Sequence, residues 1–229
     1  MTKTVVIVGA LDTKGQEFAY LKALIEQRGL RPLVVDFGVL GAPAFTPDIP
    51  REDVIRAGGG DLATLASGGH KDAAMQIMAR GLAVIVERLY AEGRLDGIVG
   101  MGGTGGTSIA TTAMRALPVG VPKLMVSTVG GGDVSPYAGT KDITFMPSIV
   151  DVAGFNSISR RIYTNAAGAI SGMVEMEAPA AQESKPLIAA SMFGNTTTCV
   201  DHARALLEAH GYEVLVFHAT GIGGRTMEG

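Results

Sequence analysis

The sequence predicts an α/β fold, with a Rossmann-like parallel sheet that has helices on both faces, followed by the truncated start of a second α/β subdomain. Short apolar runs alternate with segments whose apolar residues recur at helical spacing, which is the pattern of parallel strands joined by crossover helices. Glycine supplies a second indication. It accounts for 32 of 229 residues, and half of these lie in clusters, several of them where a strand would turn into a helix. The clusters are 58–60, 68–69, 100–106, 130–132 and 221–224.

The expected strands are continuous apolar runs, as in strands that are buried on both faces. In chain order they are 5–8, 33–36, 96–99, 124–127 and 143–145, and then 187–191 and 214–217. Helices are expected at about 18–29, 51–67 with a break at 58–60, 70–92, 104–116, 156–177 and 198–210. Residues 37–50 hold two glycines and three prolines and therefore predict a loop.

The pattern divides the chain into two parts. Residues 1–180 predict a Rossmann-like nucleotide-binding subdomain, 178–186 a linker, and 187–229 an incomplete second subdomain, so we expect a fragment of a longer protein. A first sheet of five such strands most often has the order 2-1-3-4-5. Its switch point then lies between the first and third strands, and ligands bind there, outside the carboxyl ends. The loops 10–15 and 100–108 would meet at that point.

The composition excludes several classes of protein. Nineteen basic residues balance 22 acidic ones, for a net charge of −3, and tryptophan is absent. This argues against a nucleic-acid groove or a membrane-surface patch. No apolar run reaches the length of a membrane span. The one cysteine, Cys199, excludes a disulfide framework and a cysteine-based zinc site. We therefore expect a cytoplasmic protein with no nucleic-acid or membrane partner.

The glycine cluster that follows the third strand is the strongest functional signal. Glycines allow backbone N–H groups to converge on an anion, and a helix amino end adds free donors and a positive dipole end. The hydroxyls of the same segment add further donors. The alternative is a tight strand-to-helix turn with nothing bound. The residues predicted to hold phosphate within 100–108 are Gly102, Gly103, Thr104, Gly105, Gly106, Thr107 and Ser108.

The two commonest nucleotide motifs do not fit this cluster. The glycines at 100, 102 and 105 match the dinucleotide fingerprint, but the next strand ends at Ser127 and Thr128 rather than at an acidic residue, which disfavours NAD. No Gly-Lys pair occurs, so the P-loop pattern is absent. A hydrolase triad is also disfavoured, because no histidine follows at an obvious strand end within this subdomain.

The loop after the fourth strand is expected beside the phosphate-binding segment. Its candidate residues are Ser127, Gly130, Gly131 and Asp133. They could wrap the base or ribose of a nucleotide, or they could form a flexible loop; the sequence leaves both open.

Three charged residues lie near the same point. Lys14 could neutralise phosphate charge, or it could be a solvated lysine. Asp12 could hold a magnesium ion, or it could cap a helix. Asp36 ends the second strand and could bind a ribose, or it could be a loop carboxylate.

The helix expected at 156–177 carries an apolar stripe, and its neighbours Gly168 and Gly172 would let another helix approach closely. It is either a dimer helix or an ordinary buried helix. The stripe consists of Ile158, Ile162, Ala166, Ala169, Met173 and Met176.

Six motifs in a fixed order resemble one family. They occupy 10–15 (Ala-Leu-Asp-Thr-Lys-Gly), 100–108, 127–133, 151–156 (Asp-Val-Ala-Gly-Phe-Asn), 192–197 and 221–228. The set is similar to the family of the ATP-binding N-terminal domain of the tomato mosaic virus resistance protein, which has many bacterial members. The resemblance covers essentially the whole chain. It implies two Rossmann-like subdomains, ATP binding in the first, and homodimers; bacterial relatives often accompany a barrel domain resembling phosphoenolpyruvate-using enzymes.

We therefore expect an ATP-binding protein, with or without magnesium, whose nucleotide controls dimer or partner contacts. The alternative is an enzyme that uses the same cleft for phosphoryl transfer or small-acid metabolism. The two differ in whether a general base faces the γ-phosphate. Asp12 and Asp133 are the candidates, and the sequence assigns that role to neither.

Overall fold

A computed structural model describes residues 2–61, 71–177, 185–219 and 221–228. Its first sheet is parallel throughout and has the order β2-β1-β3-β4-β5, which confirms the predicted topology. The strands are β1 Thr4–Gly9, β2 Arg31–Asp36, β3 Gly97–Gly102, β4 Lys123–Ser127 and β5 Thr144–Pro147. β1, β3 and β4 are buried along their whole length, as their apolar runs predict.

Helices cover both faces of this sheet, and each face has its own apolar core. The helices are α1 Leu11–Gln27, α2 Arg51–Ala57, α3 Lys71–Ala91, α4 Thr104–Ala116, α5 Ser135–Ala138 and α6 Ser157–Glu175. α1 and α6 pack on the face that presents Val5 and Ile7, and α2, α3 and α4 pack on the face that presents Val6 and Val8. The predicted α/β class with helices on both faces is therefore confirmed.

α2 ends at Ala57, directly before the predicted break at 58–60. The predicted helical residues 62–67 lie outside the described part of the chain, as do the glycines at 68 and 69 and the first residue of the predicted helix 70–92. Gly58 and Gly81 lie where α2 meets α3. A Cβ on Gly58 would overlap the carbonyl oxygen of Ile77, and one on Gly81 would overlap that of Val54. Both glycines are therefore required by close backbone contact between the helices.

The apolar stripe predicted for 156–177 is only partly buried. Ala166 is buried, whereas Ile158 and Met176 are 44% and 76% exposed. The face that packs on the sheet consists of Ser159, Tyr163, Ala166, Ala167, Ile170, Ser171 and Val174. Small alanine and serine side chains face inward because they let the helix lie close to the strands, so the larger apolar residues of the predicted stripe lie at the edge of the contact.

The chain forms two compact units. The first comprises Met1–Ala138 and Asp142–Met176, and the second comprises Gly139–Lys141 and Glu177–Gly229. In the residues that the structure describes, the second unit has a two-stranded parallel sheet, β6 Leu187–Met192 with β7 Glu213–His218, and two α-helices, α7 Thr197–Ala209 and α8 Gly223–Glu228. The predicted linker 178–186 falls mostly outside the described residues. Among the helices that the structure describes, none has the length and apolar character needed to cross a bilayer.

Candidate functional site

The switch point of the first sheet lies between β1 and β3, at the carboxyl ends of the strands. Single residues connect these strands to their helices: Ala10 joins β1 to α1, and Gly103 joins β3 to α4. The predicted loop 10–15 is therefore the first turn of a helix, with a kink at Lys14, whose backbone angles are not helical. Both helices consequently begin directly at the rim of the sheet.

The amino end of α4 presents backbone donors without a side-chain cap. Its N-cap residue is Gly103, which has no side chain to accept a hydrogen bond. The first helical bond of this turn runs from the N–H of Thr107 to the carbonyl of Gly103, at 2.8 Å. The N–H groups before it, on Thr104, Gly105 and Gly106, are those that a helix leaves without an internal acceptor. With the positive end of the helix dipole, they favour an anion.

The phosphate loop expected at 100–108 is shorter than the sequence suggests. β3 continues to Gly102, so the first part of the glycine run belongs to a buried strand. A Cβ on Gly100 would lie 3.1 Å from the Cβ of Ala110, and one on Gly102 would lie 3.3 Å from the Cα of Gly106. These two glycines allow α4 to pack closely on the strand, and only those from Gly103 onward lie in the turn and helix start.

The hydroxyls of the predicted site divide into two groups. Thr104 and Ser108 are exposed at the start of α4. Thr107 and Ser127 are fully buried and their hydroxyl oxygens lie 2.7 Å apart, joined by a hydrogen bond. The oxygen of Ser127 also accepts from the N–H of Val129, at 3.1 Å. The hydrogen bond between Thr107 and Ser127 thus connects α4 to the end of β4. A contact of either residue with phosphate stays a prediction.

The loop after β4 lies beside the start of α4. The N–H of Thr128 donates to the carbonyl of Gly102, at 3.2 Å. A Cβ on Gly130 would lie 3.2 Å from the backbone nitrogen of Pro147, whereas one on Gly131 would meet nothing within 4 Å. Gly130 is thus confined by β5, and Gly131 lies open to solvent.

Asp133 ends this loop and is exposed. Its carboxylate accepts from the N–H of Ser135, at 2.9 Å, and hydrogen bonds from the Ser135 side chain and backbone hold the pKa of Asp133 below its ordinary value. In this structure Asp133 therefore orders the start of α5.

Asp12 and Lys14 each contact a different neighbouring segment. Asp12 Oδ2 accepts from the N–H groups of Leu40 (2.6 Å) and Gly41 (3.1 Å). The Lys14 ammonium donates to the carbonyl of Val152, in the loop that precedes α6. Both residues lie in the first turn of α1 rather than in the predicted loop, and they contact the segments that follow β2 and β5.

The motif at 151–156 contacts α1 through two hydrogen bonds. Besides the Lys14 contact, the N–H of Gly154 donates to the carboxylate of Glu17, which is 4% exposed. Tyr163 lies buried nearby, and burial, followed by the negative charges of Glu17 and Asp151, raises its pKa to about 12. The sequence offered no signal for this arrangement, because its partners lie more than 130 residues apart.

Asp36 is the buried carboxylate of the rim. It ends β2 and is 1% exposed. Its Oδ1 accepts from the N–H groups of Leu11 (3.0 Å) and Gly38 (2.8 Å), while its Oδ2 has no partner among the described residues. Burial raises the pKa of Asp36 above its ordinary value and the charge of Asp12 adds to this, although the two N–H bonds oppose it. The sequence left Asp36 open between a ribose ligand and a loop carboxylate.

In the described part of the chain, no cluster of three or more histidine, cysteine, aspartate or glutamate side chains is arranged to hold a metal ion. Any magnesium at this rim would therefore need most of its ligands from a bound nucleotide and water, which is how magnesium is usually held beside phosphates.

Sequence comparison identifies relatives across the whole chain. A UPF0261 protein of Clostridium tetani is 50% identical over 228 residues, covering 100% of this chain and 56% of that protein. A UPF0261 protein of Rhizobium meliloti is 46% identical over 226 residues, covering 99% and 55%. The ToMV resistance protein Tm-1(GCR237) of Solanum lycopersicum is 42% identical over 160 residues, covering 68% of this chain and 21% of that protein. The chain thus spans about half the length of the curated bacterial relatives it matches.

Comparison with solved structures gives weaker similarity. A protein assigned to the alpha/beta superfamily of hydrolases, from Xanthomonas campestris pv. campestris, aligns with a TM-score of 0.39 and 15% identity, over 76% of this chain and 98% of that one. The α/β fold class follows from the strand order of the chain itself.

Two family models match consecutive parts of the chain. The model described as the N-terminal domain of the uncharacterised protein family UPF0261 matches residues 3–179. The model of the C-terminal domain of the same family matches residues 185–229. Since the first match alone covers more than half of the chain, the protein belongs to the UPF0261 family.

Proposed function

We propose that the first unit binds ATP, with the phosphates at the amino end of α4. The observation that carries the proposal is the uncapped helix start at the switch point: Gly103 provides no side-chain acceptor, so the first-turn N–H groups are available to an anion. The exposed hydroxyls of Thr104 and Ser108 add donors at the same place.

The residues around the amino end of α4 leave space for a phosphate that is part of a larger molecule. Gly103 leaves room above the helix start, since a Cβ there would lie 3.7 Å from the Thr128 hydroxyl and meet nothing closer. The open Gly131 lies on the β4 loop beside it. A bound nucleotide would supply the phosphate charge, and the chain would orient it through backbone donors rather than through a lysine.

Binding, rather than catalysis, is the function we propose for this rim. The two carboxylates considered as general bases, Asp12 and Asp133, both accept backbone N–H groups. In each of them one carboxylate oxygen is thus engaged by the backbone of a neighbouring segment, which supports a structural role.

We further propose that the nucleotide controls contacts of a homodimer. Ile158 is exposed on the outer side of α6, and the exposed Met176 directly follows the helix. A Cβ on Gly168 would meet nothing within 4 Å, so a second helix could approach there. Analytical ultracentrifugation with and without ATP tests this proposal. A dimer whose dissociation constant changes with ATP supports it, and a monomer under both conditions contradicts it.

Thermal shift is the first test of nucleotide binding. The panel is ATP, ADP, AMP, NAD and phosphate, each with and without magnesium. A ligand at 100 times its Kd raises the free energy of unfolding by about 2.7 kcal/mol, which is a shift of several degrees for a protein of this size. We expect ATP to stabilise the protein. No shift with any adenine nucleotide at millimolar concentration would contradict the proposal, and a shift with NAD alone would replace ATP by a dinucleotide.

A further inference from the structure

Asp12 and Asp36, two carboxylates at the rim, each have one buried oxygen without a hydrogen-bond partner among the described residues. Among the described residues, four buried side-chain atoms have no hydrogen-bond partner, and two of them are Asp12 Oδ1 and Asp36 Oδ2. In each case the other oxygen of the same carboxylate accepts two backbone N–H groups. A buried acceptor left without a donor costs free energy, so each orphaned oxygen calls for a donor that the described part of the chain does not supply.

The two carboxylates are neighbours. The N–H of Gly38 donates to Asp36 Oδ1, and a Cβ on the same glycine would lie 2.6 Å from the Cγ of Asp12. Gly38 therefore lies between them. Asp36 is 1% exposed, so its unpaired oxygen is not a surface lone pair that bulk water satisfies.

The position of this pair matches the proposed phosphate site. β2 and β3 flank β1, so their carboxyl ends lie two strand spacings apart, or about 10 Å. Gly9 and Ala10 lie at the rim between the ends of β2 and β3, and they have the two smallest side chains. An extended chain of phosphates that starts at Gly103 and crosses β1 would bring the attached sugar to Asp36.

We propose that Asp36 Oδ2 and Asp12 Oδ1 accept the two vicinal hydroxyls of a ribose, so that the nucleotide lies across β1 with its phosphates at α4. This inference rests on the proposed ATP site and adds its direction and its sugar specificity. A vicinal diol supplies two O–H donors to two orphaned acceptors, and O–H bonds to carboxylates are among the stronger hydrogen bonds.

The segment after β2 supplies the rest of the subsite. Val39 and Leu40 are 45% and 82% exposed. Val39 directly follows Gly38, which contacts Asp36, and the N–H of Leu40 itself donates to Asp12. They offer an apolar surface to a base attached to the ribose. The two unpaired oxygens are covered, so ribose entry requires residues 38–41 to shift in a way that uncovers them and keeps the N–H bonds of this segment to the two carboxylates. Gly38 and Gly41 at the ends of the segment permit such a change of backbone angles.

Calorimetry on the whole chain tests the sugar contact with ATP, 2′-deoxy-ATP, 3′-deoxy-ATP and inorganic tripolyphosphate. We expect each deoxy analogue to bind about tenfold or more weakly than ATP, because it leaves a buried carboxylate oxygen unpaired. Equal affinity of ATP and both analogues, within twofold, would overturn the ribose contact while leaving the ATP site standing. If neither ATP nor tripolyphosphate binds, the ATP site itself fails.

The variant Asp36→Asn separates the sugar from the phosphates. Its amide oxygen can still accept from Leu11 and Gly38, so the fold is retained, but an amide nitrogen replaces the orphaned oxygen. We expect it to weaken ATP, to lose the preference over 2′-deoxy-ATP and to leave tripolyphosphate within twofold; equal loss for tripolyphosphate overturns the proposal. Asp53→Asn, an exposed carboxylate of α2, is the matched control and should change none of these values.

A divalent cation is the rival occupant. Titration with Mg²⁺ alone distinguishes it: binding to the wild type that Asp36→Asn abolishes would assign the two oxygens to a metal ion and overturn the ribose contact. Should Asp36→Asn fail to fold, the wild-type comparison of ATP with its two deoxy analogues decides the question without a variant.

Discussion

Lys123 shows how a charged residue becomes part of a sheet. Its side chain in β4 is completely buried, and its ammonium donates to the carbonyls of Pro118 (2.7 Å) and Val121 (2.9 Å) and to Asp142 (2.8 Å). All three of its donors are used. The sequence predicts β4 from its apolar residues, and a lysine at the first position gave no indication of burial.

Replacing this lysine should destabilise the first unit. Lys123→Met leaves two carbonyls without a donor, and we expect a loss of roughly 1–3 kcal/mol in the free energy of unfolding by urea. Lys22→Met is the control, because Lys22 forms a surface pair with Glu26 and should change stability by less than about 0.5 kcal/mol. Equal effects of the two substitutions would contradict the burial of Lys123.

The same pair predicts a pH dependence. Burial by itself raises the pKa of Asp142, but the hydrogen bond and charge of Lys123 outweigh it and hold this pKa below its ordinary value. A lowered pKa in the folded state contributes stability above the unfolded pKa of about 4, and this contribution is lost as the pH falls through the folded value. Thermal melts should therefore show the advantage of wild type over Asp142→Asn shrinking below about pH 4. An advantage that is constant from pH 3 to pH 6 contradicts this.

Ile149, which follows β5 at the rim, has a strained backbone conformation. It is the one non-glycine residue with positive φ in the described chain, at 64°, and its side chain is exposed. A β-branched residue is disfavoured in this region, where asparagine is tolerated. We expect Ile149→Asn to raise the free energy of unfolding by about 0.5–1 kcal/mol in urea titrations. Ile149→Val keeps the branch and should leave stability unchanged, and destabilisation by Asn would contradict the strained conformation.

At the scale of elements, two glycines inside helices have opposite roles. Gly81 lies in α3 where α2 crosses it, whereas Gly168 lies on α6 with nothing within 4 Å of an added Cβ. Gly168→Ala should stabilise the protein by about 0.5–1 kcal/mol through helix propensity. Gly81→Ala should destabilise it by roughly 1–3 kcal/mol, because the methyl group overlaps the Val54 carbonyl. Urea midpoints that shift in the same direction for both would contradict the crossing.

The elements also show where sequence reasoning succeeds. Strands such as β1 and the bounds of α4 are predicted correctly, because continuous apolar runs and a glycine turn are local signals. The end of β3 was predicted too early, because the glycines at 100 and 102 are typical of a loop. In the structure they belong to the strand, and α4 packs against them. The buried face of α6 was missed for a related reason, since small residues hold the contact and leave little apolar periodicity.

For the whole molecule, the rules of parallel sheets predict the order β2-β1-β3-β4-β5 from the sequence, and with it the position of the ligand-binding rim. The state of single side chains at that rim did not follow. The Thr107–Ser127 bond and the orphaned Asp36 oxygen depend on contacts between residues far apart in sequence. The hydrogen bonding of the rim side chains is therefore set by the folded first unit and cannot be read from local sequence.

The most direct test of the central claim is the dissociation constant of ATP, measured by isothermal titration calorimetry on the wild type and on Gly103→Val. A Cβ at Gly103 has room, so this variant should fold, but its side chain would occupy the space at the amino end of α4. We predict that the wild type binds ATP and that Gly103→Val binds at least about tenfold more weakly, while the control Asp53→Asn binds as the wild type does. No binding to the wild type, or equal binding by Gly103→Val, would contradict it.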